Sequence, residues 1–139
     1  MPGQSPLGVR RAAIDRLFSH DQVERIMSGL DREAEGRSKD AGFASATSAL
    51  IRGKSPLSLK LALAQMRRGK GWSFADCMRA EFRIVNRVAY GHDFYEGVRA
   101  VIVDKDQKPK WRPATLREVP DAEVERHFST LGEQELAVS

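Results

Sequence analysis

The sequence predicts an all-α protein, and three observations carry that expectation. Apolar residues recur three and four positions apart in about seven successive segments, the period of one helix face. Residues that start or stop helices punctuate these segments, among them Ser55-Pro56, Ser73 with Asp76, Gly53 and Gly91. No alternating apolar–polar run of strand length occurs, and no internal repeat.

Taken in order, residues 1–8 form a Pro/Gly/Ser-rich tail expected to be disordered, and residues 9–139 a helical module. A short helix over 9–18 places Val9, Ala13, Ile14, Leu17 and Phe18 on one side. Ser19 is then expected to cap a second helix, with Gln22 completing a capping box and Phe18 and Val23 a hydrophobic staple. Val23, Ile26, Met27 and Leu30 make its stripe, and Gly36 lies past its end. A third helix over 40–52 is expected to bury Phe43, Thr47, Leu50 and Ile51, with Gly53 as terminator. Ser55 and Pro56 open the fourth, serine as cap and proline in the first turn. Leu57, Leu59, Leu61, Leu63 and Met66 surround it, so it should be buried on most sides.

The fifth helix starts at Ser73 and Asp76 and runs to about Tyr90 with the stripe Phe74, Met78, Phe82, Val85 and Ala89. Gly91 ends it. Asp93 and Glu96 then have capping-box spacing for a sixth helix, which places Tyr95, Val98, Val101 and Ile102 on its apolar face. After Asp104 the pattern stops. Lys105, Lys108, Lys110 and Arg112 follow, interrupted by Pro109 and Pro113, which cannot continue a helix. A seventh helix over 121–131 carries Val124, Phe128 and Leu131, and residues 133–139 should fray.

Composition bounds the function. A chain of 139 residues fits one domain, and its 41% hydrophobic and 30% charged content describes a globular protein. No apolar run approaches the roughly 18 residues that span a bilayer. The opening residues, MPGQSPLGVRRAAI, lack the apolar core of a secretory signal, and the single Cys77 excludes an internal disulfide. A reducing cytoplasm, or the mitochondrial matrix in a eukaryote, is the expected compartment. A net charge of +4 and pI near 9.5 favour anionic partners without choosing among nucleic acid, lipid and nucleotide phosphates.

Few residues carry chemistry. His20, His92 and His127 lack metal-ligand spacing, and Cys77 sits on an apolar helix side, where it reads as a small core residue. No P-loop, HExxH or Gly-x-Ser-x-Gly pattern exists. Asp93 and Glu96 could pass for a carboxylate pair, but their spacing is that of helix capping. The lysine loop is the best candidate, with a solvated surface loop anchored by Trp111 as the alternative.

The stretch GHDFYEGVRAVIVDKDQKPKW, Gly91 to Trp111, resembles the C-terminal signature of the 3-hydroxyisobutyryl-CoA hydrolases, a branch of the crotonase (enoyl-CoA hydratase/isomerase) superfamily. The likeness extends upstream through SPLSLKLAL and EFRIVNR, and forward through KPKWRPATLREV to HFSTLGEQEL. It implies the helical C-terminal part that covers the active site and often builds the oligomer interface. Proteins of this superfamily set a lysine near the end of the equivalent segment against the phosphates of coenzyme A. Lys105 resembles that position, with Lys108 and Lys110 as second choices.

The same resemblance implies that the groups holding the thioester oxygen, and the acids that activate water, belong to an N-terminal spiral of strands and helices. This sequence shows no counterpart of that spiral, so no catalytic residue is assigned and no cofactor beyond the coenzyme A of an acyl-CoA substrate. Two accounts follow. The chain is the C-terminal module of such a hydrolase, a truncated or split form inactive alone, partnered by a complementary N-terminal crotonase half or by itself. Alternatively it is an autonomous basic helical module that binds a protein or, less favoured, a nucleic acid.

Overall fold

The computed structural model describes residues 5–138. Among these all regular structure is helical, with seven α-helices and no strand, as the periodicity predicts. They are α1 (Arg11–Leu17), α2 (Val23–Glu35), α3 (Ala41–Arg52), α4 (Pro56–Gly69), α5 (Phe74–Val88), α6 (His92–Val98) and α7 (Asp121–Phe128). Packing divides the chain into two compact units, Met1–Lys54 and Ser55–Ser139. The expected tail falls partly on residues 1–4, outside the described ones. Beyond them, the carbonyl of Ser5 accepts the Val9 N–H at 3.2 Å and Gly8–Arg10 form a 3-10 turn.

In the first unit α2 is the spine. Its expected stripe, Val23, Ile26, Met27 and Leu30, is buried, and Ala13 and Leu17 of α1 and Ala44 of α3 close the core around it. Two expectations are corrected here. The Ser19 hydroxyl donates to the Arg16 carbonyl at 3.0 Å, so it closes α1 rather than opening α2, which begins only after the extended Gln22. On α3 the buried residues are Ala44 and Ser48, while Leu50 is 65% exposed. The cause is polar. Ser48 donates to Asp31 of α2 at 2.6 Å and Arg52 pairs with the same carboxylate, which turns the small-residue side of α3 inward. Phe43 instead lies under the Arg10 guanidinium, 5.1 Å from its ring centroid.

The second unit is built on Leu61, Val119, Val124 and Phe128, with Leu57, Ala64, Trp72, Ile84 and Val88 packed against them. Trp72 meets Phe128 edge-on at 6.4 Å. The helix starts match the sequence signals. Ser55 accepts the Ser58 N–H at 3.2 Å with Pro56 in the first turn of α4, and Ser73 and Asp76 form the reciprocal capping box of α5.

The apolar faces are distributed differently. α4 buries only Pro56 and Leu61 and leaves Met66 77% exposed, so it is not covered on most sides. α5 turns Ala80, Ile84 and Val88 inward, whereas Phe74 is 77% and Val85 55% exposed. Its inward choice follows from its arginines. Arg83 donates to the Phe128 carbonyl at 3.1 Å and Arg87 to that of Ser129 at 2.8 Å, satisfying carbonyls that the end of α7 leaves open.

The same row of arginines holds the chain's last segment. Arg83 pairs with Glu135 at 2.9 Å, Arg79 donates to the Val138 carbonyl at 2.8 Å, and Glu135 also accepts from Thr130 and Leu131. Residues 133–138 are therefore tied to α5 rather than frayed. α7 itself stops at Phe128, three positions before Leu131, because extended Ser129 follows it. Gly132, at φ 63°, then occupies the left-handed turn into Glu133, a conformation that glycine adopts without steric cost.

Candidate functional site

The lysine loop is assembled by the turn that precedes it. α6 begins at His92, and Gly91 stands at its cap with no side-chain hydrogen bond. Asp93 and Glu96 thus do not form the expected capping box. Both carboxylates are used by the returning loop instead. Asp93 accepts the Arg112 N–H at 2.8 Å and the Ser55 hydroxyl at 2.5 Å, and lies 2.9 Å from His92 Nδ1. Glu96 accepts the Lys110 N–H at 2.7 Å. The irregular loop has no helical partners for these amides, and the two carboxylates supply them.

After α6 the backbone widens to a π-turn over Arg99–Val103, closed by the Asp104 N–H on the Arg99 carbonyl at 2.8 Å. This turn sets Arg99 at the middle of three carboxylates. Its guanidinium donates to Glu96 at 3.0 and 2.7 Å, to Asp104 at 2.7 Å and to Asp106 at 2.7 Å. It also reaches the Lys108 carbonyl at 3.2 Å. Asp106 in turn accepts the Lys108 N–H at 2.8 Å, and the Gln107 N–H donates to the Ala100 carbonyl at 3.0 Å. Trp111 closes the loop against α6, where a Cβ at Gly97 would stand 3.3 Å from its ring.

The electrostatics follow. Arg99 and the Lys110 N–H pull Glu96 down to about 2. The Asp106 carboxyl is held below its usual range, chiefly by Arg99, and Arg99 itself is pushed further up by the three acids. Lys105, Lys108 and Lys110 are all exposed, with Lys105 at φ 57° and Gln107 at φ 56°. Left-handed backbone at residues with a Cβ persists only where surrounding bonds enforce it. Among the described residues none of the three ammonium groups is ion-paired, because Arg99 holds the carboxylates within reach. The result is an ordered loop with three available point charges.

The other polar groups have structural roles. Ser55, Asp93 and His92 share one carboxylate, but the Ser55 hydroxyl donates to Asp93 and not to the imidazole. His92 is thus not placed to take its proton, and the trio clips the start of α4 to α6 and the loop. His127 is buried in the core with Nδ1 2.8 Å from the Glu123 carbonyl. His20 lies in the turn after α1, and Cys77 is half-buried. Among the described residues no group of His, Cys, Asp and Glu could hold a metal. No described helix is long and apolar enough to cross a membrane.

Sequence reasoning named the three lysines, which the structure places on an exposed loop, and missed Arg99 and the Ser55–Asp93 clip. The available signal was one arginine flanked by Glu96, Asp104 and Asp106 beside an unbalanced run of lysines.

The chain is 42% identical to mitochondrial 3-hydroxyisobutyryl-CoA hydrolase of Danio rerio, over 89% of this chain and 31% of that protein. It is also 42% identical to 3-hydroxyisobutyryl-CoA hydrolase 1 of Arabidopsis thaliana, over 86% of this chain and 32% of that protein. Among solved structures, a carnitinyl-CoA dehydratase from Mycobacterium thermoresistibile superposes with a TM-score of 0.83 at 37% identity, covering 99% of this chain and 37% of that one. The chain thus spans about a third of the length of the proteins it matches. The enoyl-CoA hydratase/isomerase family model matches residues 1–128, and the chain belongs to that family.

Proposed function

We propose that this chain is the C-terminal helical module of a 3-hydroxyisobutyryl-CoA hydrolase, the enzyme that cleaves that thioester to the free acid and coenzyme A in valine breakdown. The observation that carries the reading is the ordered loop with three unpaired ammonium groups, lying within a segment that matches acyl-CoA enzymes. Coenzyme A bears a pyrophosphate and a ribose phosphate, and lysine ammonium groups neutralise such charge well. Lys105, Lys108 and Lys110 are the residues assigned to those phosphates. The matched proteins include hydrolases and a dehydratase, so a shared architecture does not name the reaction. Identity to the hydrolases is what favours thioester cleavage.

Catalysis is assigned to the rest of the fold. The chain spans 31% and 32% of the two hydrolases it resembles, so the groups that hold an oxyanion and activate water are assigned to the part it does not match. This chain supplies active-site cover, phosphate contacts and packing surface. The consecutive exposed Val101, Ile102 and Val103 support the packing role, since contiguous apolar surface marks an interface. We assign the chain to the cytoplasm, or to the mitochondrial matrix in a eukaryote; the Danio rerio relative is mitochondrial by name.

The test is direct. The purified 139-residue chain should leave 3-hydroxyisobutyryl-CoA intact and bind a hydrophobic dye or self-associate. Adding the complementary two-thirds of a homologous hydrolase should restore free-thiol release. Hydrolysis by the chain alone would overturn the assignment of catalysis elsewhere.

A further inference from the structure

From the bonding around the loop we infer that Arg99 is the positioning residue of the lysine site: it fixes the loop's shape and keeps the neighbouring acids away from Lys105, Lys108 and Lys110. The inference rests on the reading of those lysines as phosphate contacts. Its geometric half stands independently. Three carboxylates, from Glu96 before the π-turn and Asp104 and Asp106 after it, converge on one guanidinium. Two of them also hold loop amides, Glu96 that of Lys110 and Asp106 that of Lys108. Moving Arg99 therefore releases the backbone as well as the charges.

The two effects act in the same direction. Without the guanidinium, mutual repulsion of the three acids opens the turn, and the left-handed Lys105 and Gln107 lose part of the bonding that enforces them, the Gln107 N–H on the Ala100 carbonyl being left to hold them. The freed carboxylates then become partners for the adjacent ammonium groups, which lowers the charge offered to a polyanion. Lysine cannot replace Arg99. Its single ammonium lacks the planar fork that serves acids in three directions, so charge alone does not restore the arrangement. Arg99 is not itself a phosphate ligand, because its donors already face Glu96, Asp104, Asp106 and the Lys108 carbonyl.

The experiment compares the full chain with its Arg99→Gln and Arg99→Lys variants under native trypsin digestion, read by mass at the bonds after Lys105 and Lys110. Lys108 and Arg112 precede prolines and are poor sites, so these two bonds report the loop. Cleavage should rise about tenfold in both variants, the change expected when a closed segment opens locally. Coenzyme A titrated into the same proteins by calorimetry should bind about tenfold more weakly to both variants, while pantetheine, which lacks the pyrophosphate, shows no change.

Unchanged cleavage in Arg99→Gln would overturn the inference. Wild-type cleavage in Arg99→Lys would overturn its geometric basis. Where wild type fails to prefer coenzyme A over pantetheine, the phosphate reading fails, while the digestion still decides what Arg99 does to the loop. Should Arg99→Gln unfold the chain, the milder Asp104→Asn/Asp106→Asn pair should speed cleavage at the same bonds, and no acceleration there counts against the proposal.

Discussion

Two irregular segments of the second unit are each folded by arginine, and they end in opposite electrostatic states. The closing segment after α7 is drawn onto α5 by Arg79, Arg83 and Arg87, which take carbonyl groups and the Glu135 carboxylate. It contains no basic residue, so nothing cationic is left over. The groove of about 710 Å³ beside it is likewise balanced, with Arg68 on Glu125, Arg79 on Asp76 and Arg126 on Glu123. In the loop after α6, one arginine takes three acids, and among the described residues three lysines remain without an ion pair, as does Arg112 at the loop's end. The difference teaches that arginine content does not mark an anion site. For the proposed phosphate site, what counts is which charges stay unpaired after the arginines have organised the backbone.

The first way to break this contrast is through the core under the closing segment. Phe128 touches Trp72, lies under Arg68 and lends its carbonyl to Arg83. Phe128→Ala should lower the unfolding free energy of the second unit by about 3–5 kcal/mol in urea titrations. A loss below about 1 kcal/mol would show that the segment does not rest on this cluster.

A smaller effect is expected from the clasp itself. Arg83→Met keeps much of the side-chain volume but removes the bonds to Glu135 and Phe128. It should cost about 1–2 kcal/mol and speed carboxypeptidase removal of the last residues. Unchanged digestion would mean that Arg79 and Arg87 hold the segment without it.

This clasp and the Arg99 hub mark where sequence reasoning stopped. The stripe of α2 was legible because its apolar residues lie on one face with polar ones elsewhere. α5 was not, since it carries two apolar sides and the larger one, with Phe74 and Val85, is left outside. Which side turns inward is decided by Arg83 and Arg87 meeting the end of α7, a tertiary fact without a local signal. α3 failed for a similar reason, Asp31 on another helix selecting Ser48. At the site the lysines were plain as a cluster. Arg99 drew no reading from the sequence: Asp104 comes within its reach through the π-turn over Arg99–Val103 and Asp106 once Lys105 adopts left-handed backbone, and residue type signals neither.

Acid should act on both segments alike. Glu96 on α6, which holds the loop, and Glu135 in the closing segment are each depressed to about 2, the first mainly by Arg99, the second mainly by the Leu131 N–H. A carboxyl depressed on folding stabilises fully above its ordinary value of 4.5, and that contribution is lost as pH falls towards 2. The Lys110 and Leu131 amide signals should therefore shift together in an NMR titration, flat above pH 5 and changing steeply below about 3. A midpoint near 4.5 for either one would show that its segment is not held as described.

The smallest effect on stability sharpens the contrast most. Replacing Lys105, Lys108 and Lys110 together by glutamine removes three ammonium groups that are not ion-paired, so the urea midpoint should move by no more than about 0.5 kcal/mol equivalent. Coenzyme A binding should nonetheless fall at least about tenfold and lose much of its dependence on added salt, since screened charge is what the substitution deletes. The equivalent removal of Arg83, Arg79 or Arg87 should give the reverse pattern, lost stability with coenzyme A binding unaffected. If the lysine variant destabilises the chain as much as the arginine ones do, the ammonium groups are already engaged within the protein. The loop would then be another clasp, and not a surface kept open for phosphate.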